Sequence, residues 1–390
     1  MSYEWKKLWG KKLTVISVVI LILLVPFLEI LTLIGKVYVQ GEYIGTQYEN
    51  ELATKEQVKK IQGETIDQAF LDQAKKAITT YDLSKQEITP ETYKNYIKYV
   101  APYNTLNMYF ARMGIYIGDM DTSQFQQLRK AYIEEYYNEG LTTDEKAIVQ
   151  KWEKELTRPL TYGWSGAYDY FLSTTHLITL FTQFVITICL ASLFSGEYMT
   201  HVDALICTSR YGRNRIILAK FLTGIGFTLI LSLFTNTIHF VELGLIFGFE
   251  GAELPAQLIV PFLLKEWNCM ELIRVMMGIS VESTLIIGIL TLFLSVSLEK
   301  PSSTMIMMFI FLFAPLFGKV PPTYRILYRL FNTLPTNIMR TSSALGDTLI
   351  AWGNNGYLAY EYVGIFYLLA AGLLLTVSYE IFKKHQIGRG

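Results

Sequence analysis

Apolar residues along this chain gather into long runs parted by short polar stretches, and one polar stretch, after the first run, is far longer than the others. The runs cover 13–34, 174–194, 216–238, 273–298, 304–320 and 362–382. A helix rises about 1.5 Å per residue, so about 20 apolar residues cover the ~30 Å hydrocarbon core of a bilayer. The pattern predicts six transmembrane helices. Pro26 and Glu29 interrupt the first, Glu282 lies inside the fourth, and Pro315 lies inside the shorter fifth. The first run exceeds the apolar core of a signal peptide and no small-residue cleavage site follows it before Lys36, so it reads as a retained anchor.

The long polar stretch, 36–172, holds 36 of the 68 charged side chains, which sets it apart as an extramembrane domain. Its helix signals are local. Thr54 and Gln57 have capping-box spacing before a segment that runs to about residue 78. Thr89-Pro90 supplies a cap followed by proline at the first helical position. Asp121 to Gln124 opens a helix with Phe125, Leu128, Tyr132 and Tyr136 on one face. Thr142 and Glu145 open another, with Ile148, Trp152 and Leu156 four apart. No strand alternation is sustained. Sixteen of the 26 tyrosines lie here. They suit a binding surface, since tyrosine joins contact area to a hydrogen-bonding tip, or the core of a helical domain, which their helical spacing favours.

Composition agrees with the runs: 51% of residues are hydrophobic and 17% charged, against about 25% charged in soluble domains. The zero formal net charge gives no footprint for nucleic acid. The three cysteines, Cys189, Cys207 and Cys269, all lie outside the polar stretch, so no disulfide scaffold holds it. Lysine and arginine set the orientation. Lys6, Lys7, Lys11 and Lys12 precede the first run, Arg210, Arg213, Arg215 and Lys220 separate the second and third, Lys300 follows the fourth, and Lys383, Lys384 and Arg389 end the chain. Six spans with both termini in the cytoplasm put all of these on one side. Arg325, Arg329 and Arg340 oppose the rule without reversing it. The stretch 36–172 is then extracellular.

The loop after the second run, within LFSGEYMTHVDALICTSRYGRNRIILAKF (193–221), is the most informative part of the chain. Glu197 closes the second span, 199–207 can form a short helix, Thr208-Ser209 ends it, and Arg210-Tyr-Gly-Arg213 turns into the third span. This order resembles the first cytoplasmic loop of ABC-2 type transporter permeases. That family has an acidic residue closing the second helix, a short coupling helix, a Thr/Ser-x-Arg-type turn and a lysine in the next helix. The resemblance implies that Glu197, Thr200, Asp203, Ser209, Arg210, Arg213 and Lys220 contact an ATPase supplied in trans, which would bind the ATP and magnesium. Met199-Thr200 departs from the Gly-Thr often found there. The six spans, the large outer segment after the first and an amphipathic stretch before the last extend the resemblance. Residues 321–360 fit that stretch, with Tyr324, Leu327, Tyr328 and Phe331 opposed by Arg325 and Arg329. Arg210, Arg213 and Arg215 are equally suited to anionic lipid headgroups, an explanation that does not serve Glu197 or Asp203.

Glu29, His239, Glu242 and Glu282 are ionisable groups in or near spans, where such groups are costly and face protein or water. They are candidates for a transport path, with structural hydrogen bonding as the plainer role. No GxxxxGK[ST], GxSxG or metal-ligand spacing occurs in the sequence. The glycines at 224, 226, 278 and 288 suit close helix packing.

The expectation is an all-α membrane protein with six transmembrane helices and a mainly helical extracellular domain inserted between the first and second. Residues 1–35 form the cytoplasmic N-terminus and first span, 36–172 the outer domain, and 173–390 the remaining spans, with a coupling loop at 195–215 and the amphipathic segment at 321–360. The expected role is a permease subunit of the plasma membrane with no ATPase site of its own. It would pair with itself or a related permease and export a lipophilic or amphipathic substrate, peptides and antibiotics among them. The alternative is a non-transporting sensor or accessory protein with an extracellular ligand-binding domain.

Overall fold

In the computed structural model, which describes residues 2–39, 41–138, 140–200 and 215–384, the chain is mostly helical with little sheet. A short helix α1 (Ser2–Trp9) leads into α2 (Lys12–Leu33). A hairpin of β1 (Lys36–Val39) and β2 (Glu42–Thr46) follows, antiparallel and irregular in register between Val37 and Tyr38. The polar stretch then supplies α3 (Gln47–Val58), α4 (Gln68–Thr80), α5 (Pro90–Tyr99), α6 (Asn104–Arg112), α7 (Phe125–Tyr136) and α8 (Thr143–Glu155). The remainder comprises α9 (Gly166–Leu190), α10 (Ser195–Met199), α11 (Ile217–Phe247), α12 (Cys269–Ser297), α13 (Pro301–Phe317), α14 (Arg325–Asn332), α15 (Thr341–Leu345), a second hairpin of β3 (Ile350–Trp352) and β4 (Asn355–Tyr357), and α16 (Ala359–Lys384).

Five helical stretches are long and apolar enough to cross a membrane: α2, α9 continuing through α10, α11, α12 and α16. The run expected at 304–320 is α13, apolar but only 17 residues long. Several helices outrun their apolar runs. Gly166 starts α9 well before residue 174, and α11 continues to Phe247, carrying His239 and Glu242 inside it. An Asn268–Glu271 capping box fixes the start of α12.

Within the polar stretch, Thr89 and Thr142 cap α5 and α8 as the sequence predicts. Thr54 does not start a helix. It is buried inside α3, whose capping box is Thr46 with Glu49. Glycines at positive φ, Gly41 and Gly45, shape the hairpin that delivers the chain to that cap. The segment expected to run to residue 78 is broken after Val58, and Asp67 caps a separate α4. The tyrosines divide: Tyr109, Tyr137, Tyr162 and Tyr168 are buried, whereas Tyr38, Tyr43 and Tyr48 are exposed.

One apolar core joins α4, α6 and Tyr162–Phe171 to one end of the long helices, at Leu243, Phe247, Leu272 and Met276. A second lies at the other end, where Leu8, Phe194, Phe221, Leu292 and Phe382 meet. α9, α11 and α12 pack mutually, α2 leans on α9, and α16 lies along α12. Gly224 and Gly288 hold α11 and α12 close: a Cβ at Gly224 would come 2.8 Å from Leu292 Cδ1, and one at Gly288 2.5 Å from Thr228 Oγ1. Gly226 and Gly278 have no such neighbour. The outward faces of α2, α11, α13 and α16 are lined with leucine, isoleucine and phenylalanine, as lipid requires. In α14 Arg325 and Arg329 both reach Glu145 at 2.6–2.7 Å, while Ile326, Leu327 and Leu330 point outward.

Candidate functional site

Two buried charged clusters lie at opposite ends of the long helices, with a column of small polar side chains between them. The first is built from the chain's own N-terminus. Lys220, one turn into α11, is fully buried; its Nζ lies 2.7 Å from Glu197 Oε1, 3.2 Å from Glu4 Oε2 and 2.7 Å from the Leu193 carbonyl. Lys7 also donates to Glu197, and Lys11 donates to Ser192 Oγ at 2.7 Å. Glu4 is 6% exposed and Glu197 4%. A charge at such a site survives only when paired, and two carboxylates here meet two ammonium groups. Burial alone would depress the pKa of Lys7, but the hydrogen bond and charge of Glu197 outweigh it and raise it above the lysine range. Burial, then the charges of Lys7 and Lys220, push Lys11 down.

This cluster ties α1 and α10, which ends just before residue 201, to α11, which begins just after residue 214. Glu197 and Lys220, expected at a docking surface, face inward and neutralise one another. Thr200 is exposed at the end of α10, its hydroxyl donating to the Gly196 carbonyl at 3.0 Å. Asp203, Ser209, Arg210 and Arg213 lie outside the described residues. Sequence reasoning counted Lys7 only as orientation charge and passed over Glu4. The signal was there: Glu4 and Lys7 sit three apart on an amphipathic SYEWKKLW helix.

The second cluster brings together three of the four ionisable groups singled out above. His239 Nε2 lies 2.8 Å from Thr174 Oγ1 and 3.2 Å from Glu29 Oε1, and its ring stacks on Phe171 at 4.7 Å. Glu29 and His239 are completely buried. Glu242 follows His239 by three residues, almost one turn of α11. Glu29 Oε2, His239 Nδ1 and Glu242 Oε2 have no hydrogen-bond partner among the described residues. No group of three His, Cys, Asp or Glu side chains among those residues could hold a metal ion. Glu282 is not part of this cluster. It is exposed on α12 beside α16, where a Cβ at Gly364 would lie 2.9 Å from its Oε2.

Between the clusters, Thr179 and Asn236 meet Ser280 at 2.8 and 2.9 Å, Gln183 reaches Ser283 at 3.2 Å, and Thr187 meets Thr291 at 3.3 Å. Ser295 closes the column, accepting from the Phe194 and Ser195 amides and donating to the Ala191 carbonyl at 2.7 Å. Lipid tails are as apolar as leucine, so helices in a bilayer gain specificity from such small-residue contacts and hydrogen bonds. The column positions α9 against α11 and α12, and the charged clusters fix its two ends. Comparison with protein-family models, curated proteins and solved structures finds no match.

Proposed function

We propose that the chain is the membrane-embedded permease subunit of an ATP-driven exporter of the ABC-2 type. It acts as a pair, with itself or a related permease, in the plasma membrane, with both termini cytoplasmic and residues 36–172 outside. A separate ATPase subunit engages the loop at 198–213, and closure of the ATPases moves α9 against α11 to pass a lipophilic or amphipathic substrate outward. One observation carries this reading: the Glu4–Lys7–Glu197–Lys220 cluster, with Lys220 fully buried, ties α1 and α10, which precede residues 201–214, to α11, which follows them. A push on a loop held rigidly at both edges is delivered to the helices instead of being absorbed locally. Glu197 and Lys220 then act as the clamp, and Asp203, Arg210 and Arg213 as the contact.

The test is to purify the chain with its ATPase from native membranes and measure ATP hydrolysis in nanodiscs. Arg210→Glu with Arg213→Glu is expected to release the ATPase while leaving the folded permease intact. Retention of a fully coupled ATPase by that variant, or absence of any ATPase from the purified material, overturns the proposal.

A further inference from the structure

A cavity of about 760 Å³ belongs to neither charged cluster. It opens where α3, α6 and α7 meet the first two turns of α9 and the loop at 259–262. Its volume falls within the range of roughly 300–1,000 Å³ typical of small-molecule sites. Ser173 in its wall immediately precedes Thr174, the partner of His239.

Its charge is unbalanced. Arg112 is the cationic side chain in the wall, and both oxygens of Asp169 occupy it at 2.6 Å. Glu51 is the remaining carboxylate. Its partners are neutral donors, Gln47 Nε2 at 2.7 Å and the Tyr170 hydroxyl at 3.2 Å, both on Oε1. Among the described residues no lysine or arginine pairs with Glu51. Burial raises its pKa, against the weaker opposing effect of those two hydrogen bonds. The surrounding rings are held in place: Tyr136 stacks on Phe262 at 4.3 Å and Tyr170 on Phe247 at 4.4 Å, and the Trp164 indole donates to the Phe247 carbonyl. A cation set against ring faces and an unpaired carboxylate gains from both.

We propose that this cavity binds an amphipathic cation, an ammonium or guanidinium carried on an aromatic or aliphatic body, with Glu51 taking the charge and the tyrosine and tryptophan rings taking the apolar part. That the cavity serves export rests on the permease reading; that it binds such a ligand does not.

The test uses the purified full-length chain without an ATPase, so its result is independent of coupling. Three indole probes of matched shape are titrated calorimetrically: tryptamine (cationic), tryptophol (neutral) and indole-3-propionate (anionic). Tryptamine is expected to bind saturably and at least tenfold more tightly than either of the others. Glu51→Gln, which keeps the side-chain shape, should weaken tryptamine at least tenfold and leave tryptophol unchanged. Ser342→Trp, which puts an indole into part of the cavity, should weaken tryptamine at least tenfold. Absence of saturable tryptamine binding to the wild type, equal affinity for tryptamine and tryptophol, or Ser342→Trp binding tryptamine as the wild type does overturns the proposal. Should Glu51→Gln not fold, the probe comparison and Ser342→Trp decide it alone.

Discussion

Replacing Lys220 by methionine removes one charge from the loop clamp while keeping an unbranched apolar stem beside Phe194, over whose ring the ammonium now lies at 5.2 Å. Three contacts vanish at once: Glu197 at 2.7 Å, Glu4 at 3.2 Å and the Leu193 carbonyl at 2.7 Å. Deleting one member of a buried ion pair costs about 3–5 kcal/mol, because the other charge stays behind unpaired. Here Lys7 still serves Glu197, so the stranded group is chiefly Glu4, and the loss should fall near the lower figure, about 3 kcal/mol. Equilibrium unfolding in mixed detergent micelles, followed by helicity, measures it. The double variant Glu4→Gln, Lys220→Met removes the stranded carboxylate, leaves the Lys7–Glu197 pair in place, and should recover most of the loss, because swapping a whole buried pair for neutral groups is near neutral. A Lys220→Met variant within about 0.5 kcal/mol of wild type, the ordinary range for surface substitutions, would refute the buried clamp. A double variant as unstable as the single one would refute its charge balance.

Two further outcomes are expected from the same structure. Gly288→Val should destabilise the α11–α12 contact by about 1–3 kcal/mol through overpacking against Thr228, while Gly278→Ala, with nothing within 4 Å, should be near neutral by the same unfolding assay. Glu145 anchors α14 through Arg325 and Arg329. Burial works to raise its pKa, but the Thr142 amide and the two guanidinium groups outweigh it and hold the carboxyl below the usual glutamate range. A carboxyl depressed in the folded state contributes stability above its unfolded pKa and loses it as pH falls through the folded one. The hold on α14 should therefore persist at neutral pH and weaken only below about 4.5. Limited proteolysis at 319–324 against pH reads it, and Glu145→Gln should remove the dependence.

Much of the fold was legible in the sequence because it depends on local pattern. Apolar runs located the long helices, and Thr89-Pro90 and Thr142–Glu145 located two caps, since a cap is decided by residues three apart. Thr54 misled for the same reason. Its spacing to Gln57 fits a cap equally well, but Thr46 with Glu49 starts the helix earlier and leaves Thr54 inside it. The hairpin at 36–46 is too short and irregular to show alternation. Pairings between distant residues were not legible. Glu29 and His239 each stood out as costly in an apolar setting, yet nothing local joins positions 210 residues apart. Lys220 reaches Glu4 across 216 residues. The cavity was invisible because its walls come from α3, α6, α7, α9, α15 and the loop at 259–262, each ordinary in sequence.

Photo-crosslinking from the 201–214 loop tests the central claim most directly. With p-benzoylphenylalanine placed at Asp203 or at Arg210 in living cells, mass spectrometry of the adducts should identify a soluble ABC ATPase, and the yield should change when ATP is depleted. Adducts formed only with lipid or with extracellular proteins would contradict the account, since the loop would then lie where no ATPase can push on it.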